Sequence, residues 1–263
     1  MKSNKYPIGI FDSGIGGTSI WKEITALLPN ENTIYLSDSK NAPYGEKSKQ
    51  DIIDLSIKNT EFLLNKNCKL IVVACNTATT NAIKILRKKY DIPFIGIEPA
   101  IKPASLKTKT NTIGILATKG TLNSELFEKT SSTINKEISI KETIGKGLVE
   151  LIEAGKIGTT EMEKLLSSYL TPMIQQGVDC LVLGCTHYPY LIPKIKEIVG
   201  HKVEIIDSGQ AVARQTKTIL EKHKLTNTYK NIGDHQFYIN KSKKVIDLII
   251  SSKMNIKIDE KDF

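Results

Sequence analysis

The stretch LIVVACNTATT, Leu70 to Thr80, is apolar for five residues and turns polar at a cysteine. A strand with one wet face alternates, whereas a strand covered on both faces reads as an unbroken Val/Ile/Leu run. A second stretch, CLVLGCTH from Cys180 to His187, repeats the form. Around these two, strand-like runs near 8–11, 33–37, 69–74, 94–97, 111–116, 138–140, 179–184, 203–206 and 236–239 alternate with helical runs. The helical runs fall near 18–28, 49–65, 78–90, 120–130, 145–154, 160–176, 192–199, 210–223 and 242–252. In the third of these Ile83, Leu86 and Tyr90 share one face, with Lys84, Arg87 and Lys88 turned elsewhere. This alternation predicts an α/β fold with mainly parallel sheet and helices on both faces.

An internal repeat divides the sheet in two. IGIL at Ile113 follows IGIF at Ile8 by 105 positions, Cys185 follows Cys75 by 110, and Asp207 follows Glu98 by 109. Three matches in one order at nearly one offset predict two pseudo-symmetric lobes, each a mainly parallel sheet flanked by helices. Functional groups in such sheets collect beyond the carboxyl ends of the strands. Cys75 and Cys185 both stand there, so facing lobes would set two thiols on opposite sides of one cleft.

Composition narrows the function classes. The 263 residues are 40% hydrophobic and 25% charged, as in globular proteins with a full core. No run of about 18 apolar residues offers a membrane span, and the start, MKSNKYPIGIFDSG, has no signal-peptide pattern. A cytoplasmic location without membrane attachment is the expectation. Net charge is +9, but the excess is lysine mixed with acids, and Arg87 and Arg214 are the only arginines. Base reading and bidentate phosphate contacts favour arginine, so no nucleic-acid partner is expected. The cysteines (68, 75, 180, 185) contain no CxxC pair, and His187, His201, His223 and His235 form no close cluster. Neither a disulfide framework nor a zinc site is expected. Cys68 and Cys180 read as packing residues.

Candidate chemistry lies at strand ends. IFDSGIGGTSIWKEI (10–24) runs strand, glycine-rich loop, helix, without the GxGxxG or GK[ST] of nucleotide sites. Gly14, Gly16 and Gly17 allow a tight turn and close approach of a ligand, and the N–H groups of the helix start suit a carboxylate. Asp12 and Ser13 stand at the strand tip, as ligand contacts or as turn and helix caps. SDSKNAPYGEKS (37–48) is a polar loop presenting Tyr44 and Gly45 to a small polar ligand. Asn76 and Thr77 could cap the helix after Cys75 or hold a substrate. A thiol at a helix start is expected to have its pKa lowered by the dipole. His187 near Cys185 raises a Cys–His pairing, although side chains on an extended chain can point apart.

Together FDSGIGG, APYGEKS, VACNTATT, IGIEPAI, LVELIEAG and LGCTHYPYL resemble the glutamate racemases of the cofactor-independent aspartate/glutamate racemase superfamily, in the family's order from Ile8 to about Gly209. The resemblance implies one active site between two lobes, residues 1–98 plus 208–263 and residues 99–207. It implies inversion at the α-carbon of glutamate without cofactor or metal, in a homodimer, supplying D-glutamate for peptidoglycan. Cys75 would deprotonate D-glutamate and Cys185 L-glutamate. Asp12 would assist Cys75, and Glu153 with His187 would assist Cys185. Ser13, Tyr44, Gly45, Asn76, Thr77 and Thr186, with Asp12 and His187, would bind the substrate. Glu150, one turn from Glu153, competes for its role on sequence alone. The alternatives are a racemase of aspartate or another amino acid, and a cysteine hydrolase with one nucleophile.

Overall fold

A computed structural model describes residues 4–229, 231–250 and 255–263. Its strands are β1 (Ile8–Asp12), β2 (Thr33–Ser37), β3 (Leu70–Val73), β4 (Phe94–Gly96), β5 (Thr112–Ala117), β6 (Ser139–Ile144), β7 (Cys180–Gly184), β8 (Glu204–Ile206), β9 (His235–Ile239) and β10 (Ile256–Glu260). The helices are α1 (Thr18–Leu27), α2 (Lys49–Asn65), α3 (Asn76–Lys89), α4 (Ile101–Lys107), α5 (Lys119–Leu122), α6 (Glu125–Ser131), α7 (Leu148–Glu153), α8 (Thr160–Gln175), α9 (Ile192–Val199), α10 (Gly209–Lys222) and α11 (Lys244–Ile249). None is long and apolar enough to cross a membrane.

The strands form two sheets, ordered β10-β9-β2-β1-β3-β4 and β6-β5-β7-β8, with every pair parallel. The run β2-β1-β3-β4 has the same topology as β6-β5-β7-β8, which is the expected pseudo-symmetry in three dimensions. In each half the chain reverses its winding at one strand, β1 or β5, where a crevice opens at the carboxyl ends. Asp12 and Cys75 flank the first crevice. Thr118 and Cys185 flank the second.

The continuous apolar runs are covered on both faces, as their sequence requires: all four residues of β3 and all five of β7 are buried. One core connects the sheets, with Ile10, Val72 and Trp21 from the larger half and Leu148, Leu166 and Leu183 from the smaller. Each such side chain contributes about 1.5–3 kcal/mol when fully removed from water.

Several elements differ from the sequence expectation. The predicted helix 120–130 is two, because Ser124 Oγ accepts from Phe127 N and starts α6 afresh. The helix near 145–154 begins only at Leu148, after Gly147 at φ +85°, and β6 runs on to Ile144. Helix α4 and strand β10 are additional elements. The predicted helix 242–252 is α11 within Lys244–Ile249; residues 251 and 252 lie outside the described residues.

Candidate active site

On the six-stranded side, Asp12 ends β1 fully buried, and its Oδ2 accepts from Gly17 N at 2.7 Å. Burial pushes the Asp12 carboxyl up, opposed by the His187 imidazolium and the Gly17 N–H. Cys75, 4% exposed, is itself the cap of α3. Its Sγ accepts from Ala78 N at 3.4 Å, and the thiol donates to Ser13 Oγ at 3.7 Å. Asn76 and Thr77 are therefore the first helical residues and not its cap. Burial, with the Asp12 charge added, pushes the Cys75 thiol well above its ordinary pKa, against the Ala78 and Ser13 hydrogen bonds. The expected lowering is thus overturned: desolvation can move a pKa by several units, more than one helix terminus can return.

On the other side Cys185, 6% exposed, follows β7. His187 turns back on it in helical conformation (φ −75°, ψ −31°), so the Cys–His pairing is direct: Sγ lies 3.7 Å from Nδ1. Nε2 of His187 lies 2.7 Å from Oε1 of Glu153, at the end of α7. Gly16 N also approaches Nε2, at 3.2 Å, but one ring nitrogen cannot donate to a carboxylate and accept an N–H together. The shorter contact to an acid assigns the hydrogen to Nε2. Although burial opposes it, the hydrogen bonds to Cys185 and Glu153 raise His187 well above its ordinary pKa. Glu153 is lowered, because His187, Ile15 N–H and Ser39 together outweigh the cost of its burial. Glu150 is exposed, which decides between the two acids of α7.

The glycine-rich loop serves this pair in an unforeseen way. The carboxylate at its N–H groups is Glu153's own: Ile15 N donates to Oε1 at 2.7 Å. A Cβ on Gly14 would meet that oxygen at 2.0 Å, and one on Gly16 would meet His187 Nδ1 at 2.2 Å. Neither glycine has a positive φ. Space, not turn geometry, requires them.

Around the two thiols, the side-chain nitrogen and oxygen of Asn76 are both buried without a hydrogen-bond partner. An amide left so costs about 1–3 kcal/mol per group, which a bound polar ligand would recover. Thr186 Oγ1 lies 3.4 Å from Asp12 Oδ1. Thr77 Oγ1 meets Thr118 Oγ1 at 2.8 Å and Thr121 Oγ1 at 3.3 Å, joining the two halves. Tyr44 is buried, and its hydroxyl donates to Asp38 and accepts from Asn59 at 3.1 Å. Gly45 packs on Thr118, whose Cβ would lie 2.8 Å from an added Cβ. Thr118, Thr121, Asp38 and Ser39 were not singled out from sequence; only the repeat, which pairs the β1 and β5 tips, points towards Thr118. Among the described residues no group of three or more His, Cys, Asp or Glu is set to hold a metal, and the four buried cysteines form no disulfide.

Residues 8–216, a span that includes both thiols and both strand tips, fit the model of the Asp/Glu/Hydantoin racemase family. The chain belongs to that family. It is a racemase, an isomerase. The glutamate racemase of Cupriavidus pinatubonensis is 45% identical over 222 residues, 84% of this chain and 82% of that protein. Among solved structures, a glutamate racemase isoform of Bacillus anthracis superposes with a TM-score of 0.87 at 31% identity, covering 98% of both chains. The glutamate racemase of Francisella tularensis in complex with D-glutamate gives 0.84 at 31% identity, also over 98% of both.

Proposed function

We propose that this racemase interconverts L- and D-glutamate with Cys75 and Cys185 as opposed acid and base. The observation that carries the reading is the pair of buried free thiols, one beyond each equivalent strand, each with its own acid partner. A single base returns its proton to the face it came from, so inversion in a closed site needs a donor opposite. With L-glutamate, the Cys185 thiolate takes the α-proton and the Cys75 thiol delivers its own to the other face. With D-glutamate the roles exchange. Each turnover leaves the proton on the thiol that began as base, so the thiols must re-equilibrate before the same enantiomer reacts again.

The His187 imidazolium, held by Glu153, stabilises the Cys185 thiolate, and Asp12 faces Cys75. Ser13, Asn76, Thr77, Thr186 and the Tyr44–Gly45 backbone hold the carboxylates and ammonium. The α-proton is very weakly acidic, and a turnover of about 10 per second leaves a barrier of about 16 kcal/mol. Fixed donors in a dry site supply stabilisation that water cannot.

On this reading the lobes are residues 1–98 plus 208–263 and residues 99–207, the enzyme is a cytoplasmic homodimer, and its D-glutamate enters peptidoglycan. The test is incubation with L-glutamate in D2O, following the α-proton and optical rotation. Loss of rotation with deuterium uptake supports the proposal. Racemisation of L-aspartate with L-glutamate untouched would replace the substrate, and inertness to both would remove the two-thiol reading.

A further inference from the structure

Glu153 carries three hydrogen bonds, and only two come from groups already given a role. Its Oε1 takes Ile15 N and His187 Nε2, each at 2.7 Å, while its Oε2 takes the hydroxyl of Ser39 at 2.8 Å. Ser39 is 2% exposed and lies two residues past β2, on the opposite half of the molecule from Glu153. The same hydroxyl lies 3.0 Å from Ser37 Oγ.

We propose that Ser39 is a positioning residue for the Glu153–His187 pair, fixing the rotation of the carboxylate so that Oε1 faces the imidazole. A carboxylate held at one oxygen only can swing about its terminal torsion, which is soft and roughly two-fold. Ile15 N–H and His187 both sit on Oε1, so neither restrains Oε2. Without the Ser39 donor, Oε2 turns towards a cavity of about 150 Å³ lined by Pro43, Glu150 and Lys241. The hydroxyl also favours the ionised carboxylate, and through it the imidazolium. The other charged or titratable groups around the pair include Asp12 and Cys185 beside His187, Tyr35 near Glu153, and Glu150 and Lys241 across the adjoining cavity.

The inference deepens the glutamate racemase reading and rests on it for its kinetic readout, so the test includes one measurement that does not. In the full-length protein, 15N imidazole shifts report the protonation of His187 against pH. Ser39→Ala should lower the His187 midpoint by about one pH unit, the scale of one hydrogen bond to a charged group. It should lower the alkaline limb of kcat/KM by the same amount. Ser39→Thr, which keeps the hydroxyl, should restore both. Should the alanine variant be unstable, Ser39→Cys keeps the volume with a weak donor and should give the same shifts. An unchanged His187 midpoint in a folded variant overturns the proposal, even where activity is lost. A lowered midpoint in a protein without racemase activity supports the positioning and removes only the racemase reading.

Discussion

Gly14 and Glu153 occupy one space: a methyl group on the glycine would lie 2.0 Å from the acid's Oε1. The loop of one half is thereby cut to fit the acid of the other. The obstructed atom is the tip of a flexible side chain, so the clash can be relieved without disturbing the backbone. Gly14→Ala should therefore still fold, with a melting temperature lowered by the strained Glu153 hydrogen bonds, and lose activity about 100-fold, as a displacement near 1 Å at reacting groups does. Gly16→Ala should act alike by displacing His187. Racemisation rates beside thermal unfolding check both, and full activity in either variant would refute the fit.

Cys75→Ala and Cys185→Ala should each lower racemisation by at least about 10³-fold, the scale of general acid–base catalysis. L- and D-glutamate have equal free energies, so kcat/KM must fall equally in both directions for each variant. Within one variant, a difference between the two directions can appear only in kcat and KM taken separately. Initial rates from each enantiomer by circular dichroism supply these numbers. Unimpaired activity in one variant would leave a single-base mechanism.

Much of this was legible because it was written in continuous runs. LIVVA and LVLG read as doubly covered strands, and the offset near 110 paired the strand tips that carry Cys75 and Cys185. What stayed hidden depended on contacts made only after folding. Ser39 is one polar residue among several in a loop, and its partner is 114 positions away. The Cys75 pKa depends on burial, which a helix start in sequence does not reveal. Strand β10 reads IKIDE, a short edge strand whose charged side chains suit an unpaired border but mask its periodicity. Helix α4 contains Pro103, tolerated because it lies in the first turn, yet from sequence it reads as a break.

The pH dependence follows from the directions of two shifts. His187 is raised, so its contribution to stability is full below the unfolded imidazole pKa of about 6.5 and is lost as pH rises through the folded value. Glu153 is lowered, so its contribution is present above the ordinary carboxylate range and lost as pH falls through the folded value. Activity should therefore pass pH 6.5 without the fall an ordinary histidine would impose. Glu153→Gln removes the charge that holds the imidazolium and should bring that fall down towards about 6.5. A kcat/KM profile from pH 5.5 to 10, expected to span the alkaline limb, checks the sign. An alkaline limb that does not move would detach Glu153 from His187.

Far from the thiols, Lys69 and Glu31 form a buried ion pair, 0% and 2% exposed. Lys69 Nζ also donates to Asn4 O at 2.7 Å, and Glu31 Oε1 accepts from Asn227 N at 2.7 Å. The pair thus ties the start of β3 to the chain before β1 and to the segment entering β9. Burial lowers the Lys69 ammonium despite the acid beside it, so desolvation consumes much of the attraction. Lys69→Met alone leaves a buried carboxylate without its cation and should cost about 3–5 kcal/mol. Adding Glu31→Gln removes that charge while its side-chain oxygen still accepts the Asn227 N–H. The double variant should recover most of the loss. Urea unfolding of the two single variants and the double one measures the coupling, and additive losses would mean that the pair does not act as a unit.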